Sequence, residues 1–226
     1  MRENKTIILV GFMGAGKTSI GQALARRMNL PFVDTDQLIE DQQEQSIATI
    51  FAERGEQAFR TLEHEVLVKL TAFKGVIATG GGIVETAANR KLLAAHSAEV
   101  VFLTGTFAQT LAHLINDQTR PLVKERTLAD LARLWAKRQP YYEAMATTTV
   151  NTNSLPVEDI AQALSQYLGT ENQPVVLEKV LANQRLQRAL TERMTLSQIP
   201  AEQASLAAIQ TYLQQLQERG GGLNGC

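Results

Sequence analysis

Residues 11–18 of the chain read GFMGAGKT and combine small residues with one cation and one hydroxyl group. The fixed positions of the pattern G-x-x-x-x-G-K-[ST] are met by Gly11, Gly16, Lys17 and Thr18. Glycines allow backbone N–H groups to approach the oxygens of a polyphosphate closely. The lysine would supply a point charge for the β- and γ-phosphates, and the threonine hydroxyl is suited to bind Mg²⁺. The stretch therefore predicts a nucleotide-phosphate site.

The sequence on either side agrees with this interpretation. The apolar run at 7–10 predicts a buried strand before the glycines, and the pattern at 20–28 predicts a helix after them. That helix would add its free N–H groups and the positive end of its dipole. One alternative is a glycine-rich turn that matches by chance. Another is a signal peptide starting at Arg2 and Lys5, but Lys17 ends the apolar stretch and no cleavage site follows it.

The elements that must position this site alternate along the chain. Candidate strands lie at 7–10, 32–33, 76–78, 100–103 and 147–150. Candidate helices lie near 17–28, 36–53, 56–73, 86–95, 106–115 and 127–144. Strands separated by helices predict an α/β fold with a parallel sheet covered on both faces. Such sheets bind ligands at the carboxyl ends of their strands, where the phosphate loop, Asp34 and Gly80 all fall.

Two carboxylates follow the second candidate strand. On an extended chain Asp34 and Asp36 would point the same way, towards the cleft. One could orient Mg²⁺ through water, and the other could accept hydrogen bonds or the proton of an acceptor hydroxyl. The alternative is a helix N-cap pair, since aspartate caps helices well. Three glycines at 80–82 follow the third strand and would leave room for a ligand against bare backbone, or form a flexible turn.

Three arginines are candidates for binding an anion. Arginine can grip a carboxylate or a phosphate through two parallel hydrogen bonds, and we single out Arg60, Arg120 and Arg138. Arg120 lies in the polar stretch 116–124, which we expect to form a lid over the transferred phosphoryl group. The alternative for each arginine is a solvated surface position.

Composition excludes several classes of protein. The 226 residues carry a net charge of −1, with no basic excess for a nucleic-acid surface. No apolar run is long enough to cross a bilayer. Cys226 is the single cysteine, which fits a reducing cytoplasm, and His64, His96 and His113 lack the spacing of a metal site.

The composition changes near residue 169. The stretch 169–174 is typical of a linker, and two amphipathic helices are predicted between 175 and 219. We therefore divide the chain into a domain at 1–169 and an extension at 170–226. Isolated helices of this length need a packing surface. Their apolar stripes would pack on the same chain, or serve self-association or the docking of a partner.

Six motifs in order resemble the shikimate kinase family. They are GFMGAGKT at 11–18, DTD at 34–36, IFAERGEQAFR at 50–60, GGG at 80–82, RPL at 120–122 and KRQPYY at 137–142. The resemblance covers about residues 5–168. It implies a P-loop kinase fold whose five-stranded parallel sheet has the order 2-3-1-4-5. It also implies transfer of phosphate from ATP to the 3-hydroxyl of shikimate, giving ADP and shikimate 3-phosphate, a step of aromatic amino-acid biosynthesis.

The resemblance also implies roles for individual residues. The implied ATP-binding residues are Gly14, Ala15, Gly16, Lys17, Thr18, Ser19, His113 and Arg120. The implied shikimate-binding residues are Asp36, Arg60, Gly80, Gly81, Gly82 and Arg138. Thr18 and Asp34 are implied to hold Mg²⁺, and the implied catalytic residues are Lys17, Asp36 and Arg120.

The chain departs from the family pattern at two points. His113 stands where many members have an arginine stacked on adenine, and imidazole can also stack. The family usually ends near residue 170, whereas this chain continues to 226. Two other functions compete with the leading one. They are a kinase for another polyol acid such as gluconate, and a catalytically silent nucleotide-binding module whose extension docks a partner.

Overall fold

Five short strands form the centre of the computed structural model, and each neighbouring pair in the sheet runs parallel. The structure describes residues 5–116, 127–153 and 155–169, together with 177, 181, 182, 184, 185, 188 and 189. The strands are β1 (Thr6–Val10), β2 (Phe32–Asp34), β3 (Gly75–Ala78), β4 (Glu99–Thr104) and β5 (Thr148–Asn151). Their order is β2-β3-β1-β4-β5, which confirms the sheet order implied by the family resemblance.

Helices follow the strands in the alternation that the sequence predicts. They are α1 (Lys17–Met28), α2 (Thr35–Gln43), α3 (Ile47–Leu70), α4 (Ala87–Ala95), α5 (Phe107–Asn116), α6 (Leu128–Met145) and α7 (Val157–Gly169). The helix α7 was not among the predicted elements, although its first turn carries two acids and its inner face is apolar. Within the described ranges, every helix is too short or too polar to span a bilayer.

The two faces of the sheet build two apolar layers. Along β1, Ile7 and Leu9 face a cluster with α1 and α7, whereas Ile8 and Val10 face a second cluster with α3 and α6. Every residue of β1 is buried for this reason, and the strand therefore reads as a continuous apolar run rather than an alternating one. Layers on both sides hold β1 at the centre, so that the loop after it has a fixed position.

The region between β2 and β3 divides differently from the prediction. One helix was expected at 36–53 and another at 56–73, but α2 ends before Glu44, which takes the left-handed conformation at φ 50°. Ser46 then begins α3 by accepting a hydrogen bond from the Thr49 N–H at 3.1 Å. At the predicted gap near 54–55 the helical backbone is locally interrupted, because Gly55 has φ 77° inside α3.

Residues beyond the predicted domain boundary also reach the core. Leu177 and Leu181 are 2% and 0% exposed and belong to the apolar cluster shared by α1 and α7. Most of the predicted helical extension lies outside the described residues.

Candidate active site

The loop between β1 and α1 has the backbone geometry that a phosphate site needs. Gly16 caps the start of α1 at φ 85°, in the left-handed region that glycine adopts without strain. At Gly11 a Cβ atom would lie 2.5 Å from the carbonyl oxygen of Leu103, so a side chain has no room there. These two glycines explain the fixed positions of the motif. Ala15 and Gly16 bring the loop's backbone to the N-terminus of α1, and the start of a helix favours the binding of an anion.

Lys17 is buried at the start of α1. Its Nζ atom donates hydrogen bonds to the carbonyl oxygens of Gly11 and Phe12 at 2.8 and 2.9 Å. The ammonium group therefore lies across the loop, as a residue that binds phosphate through this loop requires. Ser19 is exposed on α1 two residues later.

Thr18 and Asp34 lie side by side. The Thr18 hydroxyl donates a hydrogen bond to Asp34 Oδ2 at 2.7 Å, and Asp34 Oδ1 accepts from the N–H of Asp36 at 3.0 Å. Asp34 is thus the N-cap of α2 and also the partner of the loop threonine, so the two alternatives for it are compatible. The extended geometry expected for Asp36 is wrong, because α2 begins at Thr35 and places Asp36 in its first turn.

Asp36 meets a second carboxylate that the sequence analysis did not identify. A Cβ atom on Gly80 would overlap Asp36 Oδ1 and would lie 3.1 Å from Glu63 Oε1. The side chain of Glu63 is 0% exposed. Burial and the nearby charge of Asp36 raise the pKa of Glu63 to about 7, although Arg60 acts in the opposite direction. The signal for Glu63 was its spacing of three from Arg60 on one helix face.

Arg60 is held against the glycine triplet by two acids of its own helix. Its guanidinium forms ion pairs with Glu63 at 2.9 Å and with Glu56 at 3.0 Å, and the side chain is 13% exposed. A Cβ atom on Gly82 would overlap this guanidinium. Because Gly82 has no side chain, the guanidinium of Arg60 has room to lie against its backbone.

Arg138 of α6 binds Glu85, which lies three residues after the same triplet. Its Nε atom donates to Glu85 Oε1 at 2.9 Å, and Lys137 donates to Glu85 Oε2 at 2.9 Å. Burial acts to raise the pKa of Glu85, but the hydrogen bonds from Lys137 and Arg138 outweigh it and hold the pKa below its ordinary value. One helical turn after Arg138, the Tyr142 hydroxyl donates to the carbonyl oxygen of Gly81 at 2.5 Å.

The phosphate loop and the glycine triplet touch each other. A Cβ atom on Gly81 would lie 3.0 Å from the backbone nitrogen of Met13. The guanidinium carbon of Arg138 lies 5.7 Å from the centre of the Phe12 ring in the same loop. Two arginines, two carboxylates and the loop thus lie together near the carboxyl ends of β1, β2 and β3, the edge at which the sequence places the phosphate loop, Asp34 and Gly80.

On the other side of the loop, α5 brings in His113. Its Nδ1 atom is 2.9 Å from the carbonyl oxygen of Gly14, a hydrogen-bond distance across 99 positions in the chain. Arg120 and the predicted lid lie outside the described residues. Within those residues no cluster of three metal-binding side chains occurs.

Comparisons with known proteins agree with this geometry. The family model described as "Shikimate kinase" matches residues 13–169. A shikimate kinase of Bacillus mycoides (strain KBAB4) is 40% identical over 162 residues, which cover 72% of this chain and 97% of that protein. A shikimate kinase of Dictyoglomus turgidum is 39% identical, over 69% of this chain and 92% of that protein.

Solved structures lead to the same family. A shikimate kinase from Acinetobacter baumannii in complex with shikimate is 36% identical with a TM-score of 0.70 and covers 76% of this chain and 97% of its own. A shikimate kinase from Bacteroides thetaiotaomicron is 30% identical with a TM-score of 0.67, and the match covers 74% of this chain and 99% of that one. This chain belongs to the shikimate kinase family, the kinases that transfer phosphate from ATP to shikimate.

Proposed function

We propose that the protein phosphorylates the 3-hydroxyl of shikimate with ATP, releasing ADP and shikimate 3-phosphate, and that the residues gathered around the phosphate loop do this chemistry. The observation that carries the proposal is the contact of Gly81 with Met13. This contact supports a site in which the glycine triplet forms one wall beside the loop. A small ring bound on this wall would lie next to the terminal phosphate of a nucleotide in the loop.

On the donor side, the loop supplies charge and backbone donors. The N–H groups from Gly14 to Ser19 would bind the phosphate oxygens, and Lys17 would exchange its carbonyl partners for them. Arg120 would neutralise charge on the transferred group from the lid, and His113 would stack on the base.

Mg²⁺ fits the oxygen atoms present beside the loop. The Thr18 hydroxyl and the Asp34 carboxylate lie 2.7 Å apart, and hydroxyl and carboxylate oxygens are ligands that Mg²⁺ prefers. Thr18 would hold the ion directly, and Asp34 would hold it through a water molecule. The bound ion would neutralise charge on the β- and γ-phosphates.

On the acceptor side, the charges match a small cyclic acid. Arg60 and Arg138 would bind the carboxylate between them, and the backbone of residues 80–82 would lie against the ring. Asp36 would accept the proton of the 3-hydroxyl as its oxygen bonds to the γ-phosphorus. The bond from that phosphorus to the β–γ bridging oxygen then breaks, and ADP leaves. Most of the rate enhancement would come from positioning and charge.

We place this reaction in the cytoplasm and in aromatic amino-acid biosynthesis, with ATP and shikimate as small-molecule partners. The single cysteine, Cys226, and the net charge of −1 are compatible with a reducing compartment and with no nucleic-acid partner.

The test is ADP release measured with ATP and Mg²⁺, with and without shikimate, and with gluconate as the competing acceptor. We expect release that depends on shikimate and falls about a hundredfold or more in Asp36→Asn, since a positioned base contributes at least that factor. Turnover with gluconate alone would reassign the acceptor. Binding of ATP without any turnover would identify a silent nucleotide-binding module instead.

A further inference from the structure

The chain beyond Gly169, which the family match does not cover, has an inner and an outer face where it is described. Its inward residues are the buried Leu177 and Leu181 and the half-buried Gln184 and Arg185. Its outward residues are Ala182, Arg188 and Ala189, all exposed. The inward positions are spaced by four, three and one, which is the period of an amphipathic helix.

The inner face packs on the same chain. Leu177 and Leu181 join an apolar cluster with residues of α1, β5 and α7, among them Leu24, Val150 and Leu168. Burial of a leucine side chain stabilises the packing of the segment that carries it. The two leucines therefore anchor the segment on its own chain, which is the first of the alternatives given for the extension.

Arg185 comes one helical turn after Leu181 and reaches the end of the sheet. Its Nη2 atom donates a hydrogen bond to the carbonyl oxygen of Asn151 at 2.7 Å, across 34 positions in the chain. Asn151 is the last residue of β5. The contact thus fixes the point where the chain leaves the outer strand at the ligand-binding edge.

Hydrogen bonds continue from this point to α5. The Asn151 Oδ1 atom accepts from the N–H of Asn153 at 2.9 Å, and Asn153 Oδ1 accepts from the N–H of Thr106 at 3.0 Å. Gln109 of α5 donates to the carbonyl oxygen of Thr152 at 3.3 Å. The loops after β4 and β5 are therefore held together at the N-terminus of α5, the helix whose His113 contacts the phosphate loop.

The order of the strands decides which part of a nucleotide these loops face. The acceptor residues lie beyond β1 on the side of β2 and β3, whereas β4 and β5 lie on the opposite side. A nucleotide whose terminal phosphate faces the acceptor must extend its ribose and base away from it. The base side is therefore the side of Thr106, His113 and Asn153.

We propose that the segment after Gly169 is a working part of the nucleotide site, in which Leu177 and Leu181 anchor it and Arg185 positions the loop after β5 against the base of ATP. The inference rests on the proposed use of ATP as donor. Arg185 is a positioning residue, because it acts through Asn151 and not through contact with the nucleotide. The chain would thereby contribute to nucleotide affinity through residues beyond 169, where the match to the family model ends.

The test compares Arg185→Ala with Arg188→Ala in the full-length protein. Both variants remove one arginine from the same helical segment, but Arg188 is on the exposed face. Loss of one hydrogen bond that orders the loop should raise the ADP dissociation constant and the KM for ATP about three- to tenfold. The KM for shikimate should not change, and Arg188→Ala should match the wild type. Arg185→Lys, which can still donate to a carbonyl oxygen, should recover much of the loss.

Calorimetric titration of ADP makes the result independent of turnover. If the protein binds ADP but phosphorylates no acceptor, the proposed function is refuted. The role of Arg185 is then still decided by the ADP dissociation constants of the variants. An unchanged ADP dissociation constant in Arg185→Ala would overturn the inference. An equal rise in the KM for both substrates, together with a lower melting temperature, would also overturn it, since that pattern reports general loss of structure.

Discussion

Arg138 and Glu85 are joined at 2.9 Å, between Nε of the arginine and Oε1 of the glutamate, although 53 positions separate them in the chain. The bond ties α6 to the segment that follows the glycine triplet. Because Nε is bound to Glu85, a substrate carboxylate would bind at the terminal nitrogens of the guanidinium, which also forms a hydrogen bond with the Tyr142 side chain. Glu85 therefore orients the arginine that would bind the carboxylate of shikimate.

Replacing Glu85 with alanine should lower kcat/KM for shikimate about tenfold and leave the KM for ATP unchanged, because the guanidinium of Arg138 would lose its orienting partner. Arg138→Ala should cost more, on the order of 2–4 kcal/mol of acceptor binding, since the substrate carboxylate would lose a bidentate partner. Steady-state kinetics with each substrate varied in turn measures both effects.

Lys137→Ala is the matched control for Glu85. It removes the other cation bound to the same carboxylate, but Lys137 is 57% exposed and its ion pair is expected to be weak. An equal decrease in kcat/KM for shikimate in Lys137→Ala and Glu85→Ala would contradict a positioning role for the glutamate.

The buried carboxyl of Glu63 should make stability depend on pH. Its pKa rises from 4.5 to about 7 on folding, so between these values the folded protein binds more protons than the unfolded chain. The free energy of unfolding should therefore fall as pH rises from about 4.5 to 7, by a few kcal/mol at most. Glu63→Gln cannot ionise and should gain stability over the wild type across this window. Denaturant unfolding at pH 5 and pH 8 checks this, and parallel pH profiles for the two proteins would refute it.

A methyl group at Gly82 should raise the KM for shikimate and leave the KM for ATP unchanged. The added Cβ would displace the end of the Arg60 side chain, which is flexible, so the fold should tolerate Gly82→Ala while the KM for shikimate rises. Gly105→Ala is the matched change on the other side of the loop, where the new Cβ would lie 3.1 Å from Asn153 Oδ1. It should raise the KM for ATP instead. If both variants changed the KM for ATP and the KM for shikimate in the same way, the donor and acceptor sides of the site would not be separate.

Truncation of Leu181 to alanine should cost about 2–5 kcal/mol of unfolding free energy, because the side chain is fully buried in the cluster of α1 and α7. Ala189→Ser, on the exposed face, should change it by less than about 0.5 kcal/mol. Deleting residues 171–226 removes both anchoring leucines and should also destabilise the domain. Wild-type stability in Leu181→Ala would show that the segment does not pack on the core.

Sequence was a good guide to the fold where pattern and local chemistry coincide. The buried strands appear as apolar runs, and α1 was predicted with its observed bounds at 17–28 because the loop motif fixes its start. The boundary between α2 and α3 was missed, since it depends on Glu44 in a left-handed conformation that glutamate seldom adopts. The helix α7 follows the last strand and lacks a motif that would have drawn attention to it.

The candidate site divides in the same way. Residues in short motifs, such as Lys17 and residues 80–82, could be predicted because the chemistry needs their types at fixed spacing. Glu63 and Glu85 could not, because each acts on an arginine through tertiary contacts and looks like a surface acid of an amphipathic helix or a loop. The arginines could thus be singled out as candidates from the sequence, whereas the acids that bind them could be identified only from the fold.

Met13 and Gly81 lie so close that a side chain on Gly81 would press on the Met13 backbone, so the phosphate loop and the glycine triplet share one boundary. A shift of the phosphate loop on binding ATP would press on the glycine triplet proposed to bind shikimate, and the reverse would hold equally. Binding energies of the two substrates should consequently be linked, with each altering the affinity for the other by the same factor. Redesign of acceptor preference is therefore more promising at the arginines and their acids than at this shared wall.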